Sequence, residues 1–278
     1  MTTWASGICE ADGVALHWRR TGGAKPPVVL LHGLTGSGAC WAPVARALEG
    51  DFDVVMPDAR GPGRSSRPEH GYRYEDLADD VLVLVGRLEL SYPVLLGHSM
   101  GGMTAAMTAL RAPDRIRGLV LVDPTFLSPE RQREVYASDV AEQHRRALDL
   151  SASELVEQAR ARHPQRASEI LELQAEARLQ TCAAAFDVLT PPNPDYRAVM
   201  RAIDLPTLLV IGDTNPVVTA EMATELGRAN RRLRVESIER AGHGLPFEQP
   251  ERLGAVARSF LREIFTPAQH AGPTRTAT

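Results

Sequence analysis

The stretch PVLLGHSMGG (93–102) runs a short aliphatic segment straight into a glycine-flanked serine, Ser99. An apolar strand, then Gly97-His98-Ser99-Met100-Gly101, then a helix is the context that a nucleophile elbow requires. The serine of such an elbow sits on a strained turn, which closes only if its neighbours lack a Cβ; Gly97, Gly101 and Gly102 supply that room. It then projects above the carboxyl ends of the strands, at the start of a helix whose free amides favour negative charge. The competing reading is a plain glycine-rich turn, and the rest of the chain decides between them.

A serine hydroxyl is not ionised at neutral pH and needs a base in order to attack. Of eight histidines, His243 in ERAGHGLPFEQPERL follows the last strand candidate within a few residues and precedes an amphipathic helix. That puts it on a loop at the carboxyl edge of the sheet, and a histidine base predicts a rate rising with pH through about 6.5. His98 fills the variable position of the elbow and reads as packing. His17, His70, His144, His163 and His270 fall in a hairpin, a loop, polar helices or the tail, and read as surface residues. His32 in LLHGLTGSG reads as structural, because the sharp turn after a strand can aim a backbone amide at the serine. The oxyanion hole is accordingly assigned to the Leu34 and Met100 N–H groups. LLHGLTGSG has no following Lys and Ser/Thr pair, so it does not read as a phosphate loop.

These residues need a scaffold that holds loops together at one edge of a sheet. The segments PVVLL (27–31), DVVM (53–56), PVLL (93–96), GLVLV (118–122), TLLVI (207–211) and RVESI (234–238) are short, apolar or β-branched, and bounded by Gly, Pro or Asp. They alternate with helical patterns such as YEDLADDVLVLVGRLEL, which predicts an α/β fold: a mostly parallel twisted sheet flanked by helices. GICEADGVALHWRR ahead of them reads as a hairpin turning at Asp12 and Gly13. From about Ser128 to Ala202 the chain becomes polar and rich in Arg and Glu, with helical spacing and no strand candidate. The expected organisation is a core of residues 1–125 and 203–265, an inserted helical cap over 126–202, and a flexible tail over 266–278. Phe126, Leu150, Phe186 and Leu189 are candidates to roof a pocket beneath the cap.

Composition limits the partners. At 278 residues and 44% hydrophobic content the chain can bury a sizeable core. A net charge of −4 with basic residues scattered among acids offers no field for nucleic acid. Cys9, Cys40 and Cys182 are far apart with no CxxC pair, which suggests neither a disulfide framework nor a zinc site. No apolar run approaches the roughly 18 residues needed to span a bilayer, and a cytoplasmic location is expected by default. Oligomeric state is not legible in the sequence.

HGLTGSG, PDARGPGRSSRP, GHSMGG, APDRIRGLVLVDP and GHGLPFEQPERL, in that order and spacing, resemble the α/β-hydrolase fold family in its capped, esterase-like branch. The resemblance covers about residues 10–125 and 203–265. It implies a structural turn for Asp58, Arg60, Gly61, Gly63 and Ser65, and a chain order of nucleophile, acid, histidine. In the family pattern the acid usually stands three residues after the glycine that follows TLLVI, and that position here is Asn215. Asparagine can orient an imidazole, yet it cannot stabilise an imidazolium with a full charge. Asp213 in the same loop and Asp123 at the end of GLVLVD are the alternatives, and some relatives, haloalkane dehalogenases among them, resemble the chain in placing the acid at the latter. Asp123 before a proline also has a structural reading as a helix cap.

What the resemblance implies is a serine hydrolase of a small apolar ester-like molecule (a carboxylic ester, lactone or thioester) through an acyl-enzyme on Ser99, with no metal and no organic cofactor. The alternatives it leaves are a carbon–carbon bond hydrolase of ring-fission products, a cofactor-free dioxygenase or lyase using the histidine alone as base, and a non-catalytic ligand receptor. Epoxide hydrolases and dehalogenases fit less well, because the family pattern gives them aspartate where this chain has Ser99.

Overall fold

A computed structural model describes residues 4–11 and 13–266. It opens with an antiparallel hairpin of β1 (Ala5–Ala11) and β2 (Val14–Arg20), in register from Ala5 opposite Arg20 to Ala11 opposite Val14. Gly13 takes φ +82° at the turn; Asp12 lies outside the described residues. Next come β3 (Pro27–Leu31), α1 (Ala42–Leu48), β4 (Asp53–Pro57), α2 (Tyr74–Arg87), β5 (Val94–His98), α3 (Met100–Arg111) and β6 (Gly118–Val122). Five helices then follow: α4 (Pro129–Ala137), α5 (Val140–Ala147), α6 (Ala152–Arg162), α7 (Ser168–Gln180) and α8 (Tyr196–Ala202). The chain returns to β7 (Thr207–Gly212), α9 (Ala220–Ala229), β8 (Leu233–Ile238), α10 (Leu245–Glu248) and α11 (Pro250–Phe265). Residues 267–278, most of the expected tail, lie outside the described residues.

The eight strands form one sheet in the order β1-β2-β4-β3-β5-β6-β7-β8. It is parallel from β4 to β8 and antiparallel only where β2 meets β1 and β4. The α/β class is therefore as expected. The inner strands are apolar at nearly every position because helices cover both faces of the sheet. Val29 and Leu31 of β3 point into a cluster with α2, α3 and α8, whereas Val28 and Leu30 point into one with α1 and α11. β8 differs. Only its ends, Leu233 and Ile238, are buried, and Arg234, Glu236 and Ser237 keep this edge polar.

Between β6 and β7 the described residues contain no strand. α5, α6 and α7 share a small cluster of their own around Ala147, Leu155 and Ala175. Two ion pairs tie this layer down: Arg46 of α1 to Glu169 of α7 at 2.7 Å, and Arg166 to Glu248 of α10 at 2.5 Å. Among the described residues no helix is long and apolar enough to cross a membrane.

Candidate active site

Ser99 joins β5 to α3 with φ +55° and ψ −120°, a backbone conformation that L residues rarely adopt. The turn closes because the chain passes over itself at two glycines. A Cβ on Gly97 would run into the Gly101 carbonyl, and one on Gly101 would run into the Leu31 carbonyl. The Ser99 N–H donates to the Val122 carbonyl at 3.1 Å, which anchors the strained residue to the end of β6. That same strand end carries Asp123.

Asp123 is fully buried, with φ +38°. Its Oδ1 accepts the Val218 N–H at 2.8 Å; its Oδ2 accepts the Val217 N–H at 3.0 Å and lies 2.7 Å from His243 Nδ1. Burial works to raise the carboxyl pKa. The hydrogen bond from His243, the charge that imidazole can carry and the two amides outweigh burial and hold the group below its usual range. On the other side of the ring, His243 Nε2 lies 3.0 Å from Ser99 Oγ. Ser99, His243 and Asp123 thus form one chain of hydrogen bonds from the elbow to the end of the next strand.

The other two candidate partners of His243 stand apart from it. Asp213 is exposed, accepting from Thr214 Oγ1 at 3.0 Å and from the Ala241 N–H at 3.2 Å. Asn215 is exposed at φ +47° and makes no side-chain hydrogen bond among the described residues. The capping reading of Asp123 is overturned as well, since its two amide donors come from the loop after β7 and α4 starts only at Pro129.

His98 is buried, and its ring Nε2 lies 2.7 Å from the His243 carbonyl, where a protonated Nε2 donates. Burial first, then the neighbouring His243, push its pKa down to about 3, so it stays neutral and steadies the His243 backbone. His32 is buried too, 2.7 Å from the Gly33 carbonyl through Nδ1 and accepting the Ala59 N–H at Nε2 at 3.0 Å. It thereby shapes the turn that carries Leu34. The Leu34 and Met100 amides have no backbone acceptor among the described residues, and Met100 is the first residue of α3. In the PDARGPGRSS segment, Asp58 accepts from the Gly38 N–H at 2.6 Å and the Arg64 N–H at 2.9 Å and bonds His17 Nδ1 at 2.9 Å, while Arg60 pairs with Asp80 at 2.6 Å.

Three surface assignments fail. His17 is buried on Asp58, and His144 is buried with Nε2 2.9 Å from the Thr181 carbonyl and its ring stacked on Phe186. His163 is half-buried and lines the cavity above Ser99. His70 is exposed, and His270 lies outside the described residues.

That cavity measures about 440 Å³ and is bounded by Ser99, His243 and Leu34 below and by α6 and α7 above. Of the four candidate roof residues only Phe186 lines it. Phe126 stacks on Tyr196 inside the main core, Leu189 packs against the same core, and Leu150 packs within the small cluster of the helical layer. The roof is also not apolar throughout: Arg162, Arg166 and Arg178 reach it, none of which the sequence reading singled out. A signal was present. Arg162 and Arg178 have no acid three or four residues away on their helices, where solvated arginines commonly find one.

The chain belongs to the α/β-hydrolase fold family, whose model matches residues 26–250. It is an α/β-hydrolase, an enzyme acting on small-molecule substrates. It is 29% identical over 263 residues to an N-formylmaleamate deformylase of Pseudomonas putida, covering 92% of this chain and 96% of that protein. It is 28% identical over 242 residues to a 2-(acetamidomethylene)succinate hydrolase of Mesorhizobium japonicum, covering 84% and 86%. Among solved structures, it is similar to a thermophilic esterase from Thermogutta terrifontis with malate bound, at a TM-score of 0.75 and 28% identity over 95% of this chain and all of the other.

Proposed function

We propose that the protein is a serine hydrolase of carboxylic esters, lactones or thioesters, with Ser99 as nucleophile, His243 as base and Asp123 as the acid that orients it. One observation carries this reading: the unbroken contact from Asp123 through His243 to Ser99, at 2.7 and 3.0 Å. His243 Nε2 takes the Ser99 proton as Oγ bonds to the substrate carbonyl carbon, and the carbonyl oxygen becomes an oxyanion facing the Leu34 and Met100 amides. Collapse of that intermediate breaks the bond to the leaving group, which departs with the proton from His243. Water, deprotonated by His243, then attacks the acyl-enzyme and releases the acid. The deformylase named among the relatives fits the same scheme, since removal of a formyl group is acyl transfer to water.

In this reading residues 126–202 act as a cap over a core of 1–125 and 203–265, and the substrate enters between them. The free thiols of Cys9, Cys40 and Cys182 support a cytoplasmic setting. The test is covalent labelling of Ser99 by a fluorophosphonate, together with turnover of short p-nitrophenyl esters. Wild type labels and turns over, and Ser99→Ala does neither while keeping its fold. Full turnover by Ser99→Ala would overturn the reading in favour of a reaction that uses His243 as base alone.

A further inference from the structure

Arg178 of α7 borders the same cavity as Ser99 and His243. Its guanidinium is half-buried, its Nε is enclosed without an acceptor, and its hydrogen bond to the Gln143 carbonyl is long at 3.4 Å. Among the described residues no carboxylate lies within ion-pair distance of it, and Arg162, also at the cavity, adds a second positive charge. Burial and that repulsion together hold its pKa below the usual arginine range. The neighbouring Arg166 has been given an acid: its Nη2 meets Glu248 Oε1 at 2.5 Å. Arg162 is exposed and its Nε donates to the Gln158 carbonyl at 3.2 Å, so the enclosed guanidinium that the protein leaves without an acid is that of Arg178.

Enclosing such a group is costly unless an anion joins it. We infer that Arg178, with Arg162 beside it, is a binding subsite for a carboxylate carried by the substrate at a distance from its scissile acyl group. The inference rests on the proposed Ser99 chemistry for where the acyl group lies. Both charges line the cavity from the helices α6 and α7, with Phe186 and Leu155 as apolar lining. The occupant that fits is a short acyl chain with an ester or related bond at one end and a carboxylate at the other. A planar carboxylate matches the guanidinium fork, which a single ammonium does not reproduce.

The test compares p-nitrophenyl butyrate with the mono-p-nitrophenyl ester of succinate, which has the same chain length and a terminal carboxylate. Wild type should prefer the carboxylated ester in kcat/KM, chiefly through KM. Arg178→Met should collapse that preference by about 10- to 100-fold, the range expected for one charge-assisted hydrogen-bonded contact, and Arg178→Lys should keep part of it. A wild-type preference for the butyrate, or the same preference ratio in Arg178→Met as in wild type, would overturn the inference. Binding separates this from the Ser99 reading. In Ser99→Ala, monomethyl succinate should raise the melting temperature, and the rise should vanish in the Ser99→Ala/Arg178→Met double variant. Ligand-free melting of Arg178→Met reports whether it folds, and removal of one of two repelling charges should leave it no less stable. Should Ser99 resist labelling while monomethyl succinate still binds through Arg178, the hydrolase reading fails and the subsite stands. Greater stabilisation by inorganic phosphate than by the half-ester would overturn the carboxylate assignment.

Discussion

Asp123 is buried behind His243 and Arg178 lines the cavity that His243 borders, and the fold treats their charges differently. Asp123, beneath the site, is enclosed by two backbone amides and an imidazole, and Asp58 nearby is likewise met by two amides and His17. Each such contact fixes geometry: the amides of Val217 and Val218 bind the β7 loop to β6, and the imidazole is thereby aimed at Ser99. Arg178 in the roof receives no such partner for its enclosed Nε, although nearby cap arginines pair with acids, among them Arg145 with Glu142 at 2.6 Å. Charges satisfied from within hold a site in shape. Charges left open on the cavity side are available to a ligand.

The comparison breaks first at Asp123. Asp123→Asn should lower kcat by up to about four orders of magnitude, because an amide in that place favours the wrong imidazole tautomer and cannot stabilise its positive charge. Asp213→Asn, whose contacts are to Thr214 and the Ala241 amide, should change kcat by less than about threefold. Steady-state kinetics on a p-nitrophenyl ester decide it. A fully active Asp123→Asn beside a dead Asp213→Asn would move the functional carboxylate to the loop after β7 and remove the basis for treating the Asp123 side as the positioning half.

The acid was the part of the site least legible in the sequence. β3 and β6 fall residue for residue on PVVLL and GLVLV, because a strand covered on both faces must be apolar throughout and so announces its own length. The elbow was legible because its glycines are clustered in the sequence: Gly97 is demanded by the Gly101 carbonyl four residues on, although Gly101 itself is demanded by the Leu31 carbonyl of a distant strand. Which of Asp123, Asp213 and Asn215 meets His243 depends instead on how two loops from adjacent parallel strands end, with Val122 in register with Val210, and no local pattern encodes that. The buried histidines misled for the same reason. His17 and His144 are tolerated inside because Asp58 and the Thr181 carbonyl, 41 and 37 residues away, accept their protons. Leu150 and Leu189 were apolar enough to roof a pocket, yet nearer apolar partners claimed them.

The neutral histidines under the site give the next largest effect. Burial lowers the pKa of His32 and of His98, the latter to about 3, whereas an unfolded histidine titrates near 6.5. The unfolded chain therefore binds protons that the folded chain refuses, and stability falls as pH drops below about 6.5. Each such histidine contributes a slope of up to about 1.4 kcal/mol per pH unit, fully developed about a unit below the unfolded pKa and persisting until the folded pKa is reached. Urea unfolding midpoints between pH 6.5 and 4.5 should decline steeply in wild type and less steeply in His98→Asn, by one histidine's share. An unchanged slope in that variant would mean that His98 is protonated in the folded state, which its hydrogen bond to the His243 carbonyl and its enclosure both oppose.

The smallest effect sharpens the roof itself, where charge on the outer face and charge on the cavity face should behave differently. Arg131 of α4 pairs with Glu134 one turn along at 2.8 Å, with 63% and 62% of the two side chains in solvent. Water screens a pair so exposed, and holding two long side chains together costs rotamer freedom, so the pair is worth little. Arg131→Ala should shift stability by under about 0.5 kcal/mol and leave the preference between the succinate half-ester and the butyrate where wild type has it. Arg178→Met removes one positive charge from the same helical layer, so any long-range effect of cap charge on an anionic substrate would be common to both variants. At 0.15 M ionic strength such an effect decays over about 8 Å, and raising the salt suppresses it further. If Arg131→Ala lowered the preference as far as Arg178→Met and salt erased the difference, the cap would act as a diffuse positive field, and the assignment of a carboxylate to Arg178 would lose its support. A preference that responds to Arg178 alone and persists at high salt requires direct contact within the cavity.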